Sequence, residues 1–77
     1  MKTRVLFFGQ LTDITQISEI EIDAVTDVNS LTEKLILLFP SLATSKYLIA
    51  LNNKVVVDNL IIPENSKVVL MPPFSGG

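Results

Sequence analysis

An α+β fold of two layers, a sheet with one helix lying across one of its faces, is what this sequence predicts. Three observations lead there. β-rich runs stand near both ends and after the middle of the chain, only one stretch carries a helical period, and 77 residues suffice for one domain. At this size folding buries roughly 60% of the surface that the unfolded chain exposes, so the core has little to spare. The composition, 48% hydrophobic and 18% charged, excludes a disordered tail or a charged linker.

The first run, Thr3 to Phe8, is β-branched, aromatic and aliphatic and ends at Gly9. Alternation puts Val5 and Phe7 on one face and Arg4, Leu6 and Phe8 on the other, so both faces are apolar in part. Gln10 to Ile17 holds Thr12, Asp13, Thr15 and Gln16, polar enough for a hairpin loop. Ser18 to Val25 alternates cleanly, which predicts a second strand with Ile20, Ile22 and Ala24 inward and Glu19, Glu21 and Asp23 outward.

The period then changes. Ser30-Leu31-Thr32-Glu33 has the pattern of a capping box, which predicts a helix starting at Ser30. Leu31, Leu35, Leu38 and Leu42 follow at spacings of four and three along one stripe, and Pro40 ends regular helix near Phe39. Ten residues make roughly 15 Å of helix. Lys46 to Leu51 and Lys54 to Val57 read as a hairpin, because Asn52-Asn53 between them tolerates the positive φ of a tight primed turn. Lys67 to Met71 is the last strand, halted by Pro72-Pro73. Residues 1–71 thus make one domain and residues 72–77 a flexible tail.

Absences narrow the chemistry. Without Cys there is neither a disulfide, a zinc-thiolate site nor a thiolate nucleophile, and without His the commonest metal ligand and general base is gone. No metal site is predicted. The net charge of −2 and the lack of any basic cluster beyond Lys2 with Arg4 argue against nucleic acid. No apolar run reaches the length of a membrane span, and the apolar stretch after Lys2 and Arg4 is too short for a signal peptide before Gly9-Gln10, so a cytoplasmic protein is expected. Glu19, Glu21, Asp23 and Asp27 read as a solvated, aggregation-resisting edge, and Lys34, Lys46, Lys54 and Lys67 as surface groups.

The chemistry concentrates at the end. Two of the three glycines are Gly76 and Gly77. A Gly-Gly end has no side chains, so backbone alone sets its cross-section and it can thread a narrow channel. Pro72-Pro73 removes two donors from further sheet pairing and favours an extended path; Pro72 to Gly77 spans roughly 20 Å at about 3.3 Å per residue. A terminal carboxylate is ionised at pH 7 and is a poor electrophile, so another protein must activate it, for example as an acyl-adenylate that sulfide or an amine then attacks. By itself a Gly-Gly end is equally a frayed terminus; the residues around it decide.

Val68-Val69-Leu70-Met71-Pro72-Pro73-Phe74-Ser75-Gly76-Gly77, together with Arg4-Val5-Leu6-Phe7-Phe8-Gly9, resembles the small, sulfur-carrying subunit of molybdopterin synthase, the MoaD family. Ala50-Leu51-Asn52-Asn53 looks like that family's hydrophobic-Asn segment, and the likeness covers nearly the whole chain. It departs at Thr12, where many members carry a basic residue, and at Glu64-Asn65-Ser66, which replaces an Asp-Gly-rich turn. The resemblance implies a ubiquitin-like β-grasp fold, a mixed sheet of about five strands with one main helix packed across one face. It further implies that an E1-like enzyme adenylates Gly77 and that a sulfur donor converts it to a thiocarboxylate. The tail would then enter the large synthase subunit and pass its sulfur to cyclic pyranopterin monophosphate.

On that reading Gly77 carries the reactive carbonyl, Gly76 lets it thread, Pro72, Pro73 and Phe74 set the exit of the tail, and these three with Ser75 also bind the partner. Leu6, Phe8, Val69 and Met71 form an apolar interface with the large subunit, unless the Gln10–Ile17 loop or a twisted sheet edge covers them. The chain is not an enzyme on its own and holds no cofactor stably. ATP is used by the activating enzyme, since no Gly-rich phosphate loop is present here. Other readings are a ubiquitin-like modifier that forms isopeptide bonds, a sulfur carrier for thiamin or tRNA thiolation, and a β-grasp interaction module whose tail is incidental.

Overall fold

The computed structural model describes residues 2–73. Along the chain run β1 (Lys2–Phe7), α1 (Leu11–Thr15), β2 (Glu19–Asp23), α2 (Val28–Leu38), a 3-10 turn (Pro40–Thr44), β3 (Leu48–Leu51), β4 (Lys54–Val55) and β5 (Lys67–Met71). The strands form one mixed sheet in the order β2-β1-β5-β3-β4. β1 and β5 pair in parallel at its middle, and the other neighbours are antiparallel.

Register explains the two faces. Val5 stands opposite both Ile20 and Val68, and Phe7 opposite Leu70, so the inward residues of three strands coincide. β3 adds Ile49 beside Leu70 and Leu51 beside Val68. Over this face lie Val28, Leu31 and Leu35 of α2, all buried, with Leu42 from the 3-10 turn. Phe39 meets Phe7 edge to face, ring centroids 5.8 Å apart, an arrangement that suits the ring quadrupoles.

Several boundaries differ from the sequence-based expectations. Gln10–Ile17 is not a plain loop, because Leu11 to Thr15 close a helical turn. Leu11 and Thr15, four residues apart, are both buried, and the Thr15 hydroxyl donates to the Ile17 carbonyl at 2.7 Å. Gln16 ends that turn in the left-handed region at φ 64°, its N–H on the Thr12 carbonyl. The second strand is shorter than Ser18–Val25: Ala24 is exposed at φ 62° and turns the chain out of the sheet, so it is not an inward residue.

The main helix begins two residues before Ser30. Its N-cap is Asp27, whose carboxylate accepts from the Ser30 N–H at 3.0 Å, so no capping box forms. A carboxylate suits the positive end of a helix, and the earlier start brings Val28 into the core. The two preceding amides are satisfied by the loop before β5: Val28 N–H donates to the Leu60 carbonyl and Asn29 N–H to Asn59 Oδ1. Leu38 lies at the margin of the apolar stripe and is half exposed, so the stripe continues through Phe39 and Leu42 instead.

The hairpin turn forms as expected, with Asn52 at φ 48° and Asn53 at φ 74°, although its strands are shorter than the apolar runs. Asn52 does more than turn. Its N–H donates to the Lys67 carbonyl and its side-chain oxygen accepts from the Lys67 N–H, both at 2.9 Å, which extends the β3–β5 ladder by one rung. Its amide nitrogen also donates to the hydroxyl of buried Ser66, which itself donates to the Pro63 carbonyl at 2.6 Å. The last strand has the bounds read from the sequence.

Candidate functional site

The sheet face away from α2 is built from the residues that alternate with the core set. Across it run Glu19, Leu6, Val69, Ala50 and Val55 as successive cross-strand neighbours. The next row pairs Met71 with Leu48. Leu6, Val69, Met71 and Leu48 are each half-buried, and Val55 is largely exposed. Phe8 follows β1, donates its N–H to the Leu70 carbonyl at 3.0 Å, and is 51% exposed. Leu6, Val69 and Met71 therefore share one apolar sheet face, with Phe8 at its end beside the exit of β5.

The Gln10–Ile17 segment does not hide Phe8, since α1 spends its buried residues on the core. Ala50, Leu48 and Val55 belong to the same face and were missed in the sequence. Their alternation with Ile49 and Leu51 is legible, but the register that lays β3 against β5 is not.

Charged pairs border this face along β1 and β2. Arg4 donates from Nε to Glu19 Oε2 at 2.8 Å, and Lys2 lies 3.8 Å from Glu21. The hydrogen bond from Arg4 holds the Glu19 carboxyl below the usual carboxylate range, and the same contact raises Arg4. Both pairs are well exposed and contribute little to stability. Burial pushes the Tyr47 hydroxyl up. Among the described residues no group of three or more His, Cys, Asp or Glu side chains gathers around a point where a metal ion could sit. Nor is any helix among them long and apolar enough to cross a membrane.

The end of β5 is sharply defined. β5 is held by β1 as far as Leu70 and by β3 as far as Met71, so the chain leaves from the middle of the sheet. Pro72 is half-buried and Pro73 exposed. Pro72 rests against the β1–α1 turn, where Gly9 has φ +57°. Beside it opens a cleft of about 280 Å³ lined by Gln10, Leu11, Ile14, Ser45 and Lys46 with the two prolines. The Thr12 hydroxyl donates to the Gly9 carbonyl at 2.8 Å and tightens the turn. Phe74, Ser75, Gly76 and Gly77 lie outside the described residues.

A family model described as the ThiS family matches residues 5–77, almost the full chain and including the terminal Gly-Gly. The chain belongs to the ThiS family. Solved structures agree on the fold of this ThiS-family chain. A Pyrococcus furiosus protein provisionally named molybdopterin converting factor, subunit 1, superposes with a TM-score of 0.89 at 19% identity, covering 96% of this chain and 99% of that one. The small archaeal modifier protein 1 of Methanosarcina acetivorans gives 0.82 at 18% identity, with 99% and 96% covered. Subunit 1 or 2 from a complex of the molybdopterin-converting factor of Helicobacter pylori 26695 gives 0.75 at 25% identity, both chains fully covered. The five-stranded mixed sheet with one main helix is thus a ubiquitin-like β-grasp fold, the arrangement that the sequence resemblance implied.

Proposed function

We propose that this ThiS-family chain is the sulfur-carrying small subunit of a molybdopterin synthase. The observation that carries this reading is the path of β5, which runs from the middle of the sheet into Pro72-Pro73 with the apolar face of Leu6, Val69 and Met71 beside it and Gly76-Gly77 still to come. An E1-like enzyme supplies ATP and joins AMP to the Gly77 carboxylate, releasing pyrophosphate. Sulfide equivalents from a sulfur donor protein then displace AMP, leaving a C-terminal thiocarboxylate. The apolar face docks on the large subunit, whose active site takes the tail and passes sulfur to cyclic pyranopterin monophosphate. Gly76 keeps the cross-section narrow, and Pro72 through Ser75 set the reach.

The catalytic side chains are the partners' own. This fits a chain that has neither Cys nor His, because the reacting group here is a main-chain carbonyl. A second reading, a ubiquitin-like modifier that forms isopeptide bonds through Gly77, is favoured by the likeness in fold to small archaeal modifier protein 1.

Intact-mass analysis of the protein from its host separates the two. Exchange of one terminal oxygen for sulfur supports the carrier, whereas covalent adducts with other proteins support the modifier. Deleting Gly77, or adding one residue after it, is expected to abolish sulfur transfer while leaving the melting temperature nearly unchanged. Retained transfer would overturn the mechanism.

A further inference from the structure

Where β5 ends, Pro72 lies close against a residue that has no side chain. Gly9 takes φ +57°, and a Cβ built on it would sit 2.8 Å from Pro72 Cγ and 3.2 Å from Pro72 Cδ. Real Cβ atoms essentially never show the first of these distances. The ring has little room to give, because Cδ closes back on the backbone nitrogen and fixes φ, leaving only a change of pucker at Cγ. A side chain at position 9 would therefore force the Pro72 ring to shift.

The turn is in turn held fast. Phe8 N–H donates to the Leu70 carbonyl, and Leu11 and Thr12 amides donate to the Phe8 and Gly9 carbonyls. The Thr12 hydroxyl adds a second bond to the Gly9 carbonyl. Neither Gly9 nor its neighbours can yield without breaking the β1–β5 ladder end or the first turn of α1.

We propose that Gly9 is a positioning residue for the C-terminal tail: its bare backbone sets the direction in which Pro72 leads the chain off the sheet. It touches no substrate and acts through Pro72. This inference rests on the sulfur-carrier reading for its effect on activity, but the direction of the tail is testable without any enzyme.

Three variants separate its causes. Gly9→Asn accepts the positive φ but introduces the Cβ. Pro72→Ala removes the Cγ and Cδ that the Cβ meets. The double variant keeps the Cβ and relieves the contact. Since the chain has no Cys, a nitroxide on Ser75→Cys reports where the tail lies through the amides it broadens. Expected is a broadening map that changes in Gly9→Asn and in the double variant matches that of Pro72→Ala alone, with β1 and β5 shifts retained throughout. An unchanged map in Gly9→Asn overturns the proposal.

With an E1-like enzyme, ATP and a sulfur donor, Gly9→Asn should lower kcat for thiocarboxylate formation about ten- to a hundredfold with KM little altered, because docking is intact and the tail is misaimed. The double variant should be no slower than Pro72→Ala. Losses that multiply, or a loss confined to KM, count against it. If the wild-type chain is not activated at all, the sulfur-carrier reading fails, while the broadening maps still decide the role of Gly9.

Discussion

Asn52 joins two strands by side chain as well as by backbone, which makes it a test of how this small sheet is held. Asn52→Ala removes the bond to the Lys67 N–H at 2.9 Å and the one to Ser66 Oγ at 3.2 Å. At about 1 kcal/mol net for each, these contribute roughly 2 kcal/mol. Ala must also adopt φ 48°, which adds about 1 kcal/mol because only Gly, Asn and Asp visit that region readily. The sum is about 3 kcal/mol, a large share of the stability of a domain of this size.

At roughly 4 to 8 °C per kcal/mol, the melting temperature should fall by about 12 to 24 °C. Urea denaturation with thermal melts measures it. Asn52→Gly separates the parts, since it takes the positive φ freely and loses only the hydrogen bonds, for about 2 kcal/mol. Asn52→Asp keeps an acceptor for Lys67 and should fall between wild type and Gly. If Ala and Gly each cost less than about 0.5 kcal/mol, the side chain does not tie β3 to β5 and the reasoning is wrong.

Phe8→Asp should weaken association with the large synthase subunit at least about tenfold, measured by calorimetry, while the half-exposed position leaves the fold intact; unchanged affinity in a folded variant removes the docking face. Asp27 carries a pH dependence. Its carboxyl is held below the usual range, first by the Asn59 amide at 2.9 Å and then by Ser30, so the stabilisation is present above the unfolded value near pH 4 and is lost as pH falls through the lower folded value. Asp27→Asn keeps an acceptor for the cap but no charge; its melting temperature should lie below wild type at pH 7 and converge with it near pH 2. A gap that stays constant across that range speaks against the charge.

What the sequence disclosed follows from which forces act locally. β5 was legible to the residue, because Lys67 and four apolar positions after it end at two prolines that cannot continue a sheet. The hairpin turn was legible because Asn52-Asn53 has a conformational signature of its own. α1 was not, since a five-residue turn is too short to show a period and Gln10 is no cap. The helix start was misread because two capping patterns overlap, and contacts from Asn59 and Leu60, distant in sequence, add to the local cap in favouring Asp27 over Ser30.

The candidate site divides along the same line. Leu6, Phe8, Val69 and Met71 could be named from alternation alone. Leu48, Ala50 and Val55 needed the register of β3 on β5, which no local pattern encodes. The close approach of Gly9 to Pro72 joins residues 63 positions apart and has no sequence signal beyond the glycine itself.

The parallel pairing of β1 with β5 sets an order of events. Arg4 stands beside Lys67 and Phe7 beside Leu70, so the centre of the sheet unites the earliest and latest strands to be synthesised. Until β5 has emerged, β1 and the β3–β4 hairpin have an unfilled slot between them, and the ribosome releases no intermediate with a finished sheet. The strand that completes the sheet is also the one that leads into Pro72-Pro73. On the sulfur-carrier reading proposed above, a copy that lacks this strand has no assembled sheet from which the residues beyond Met71 are presented.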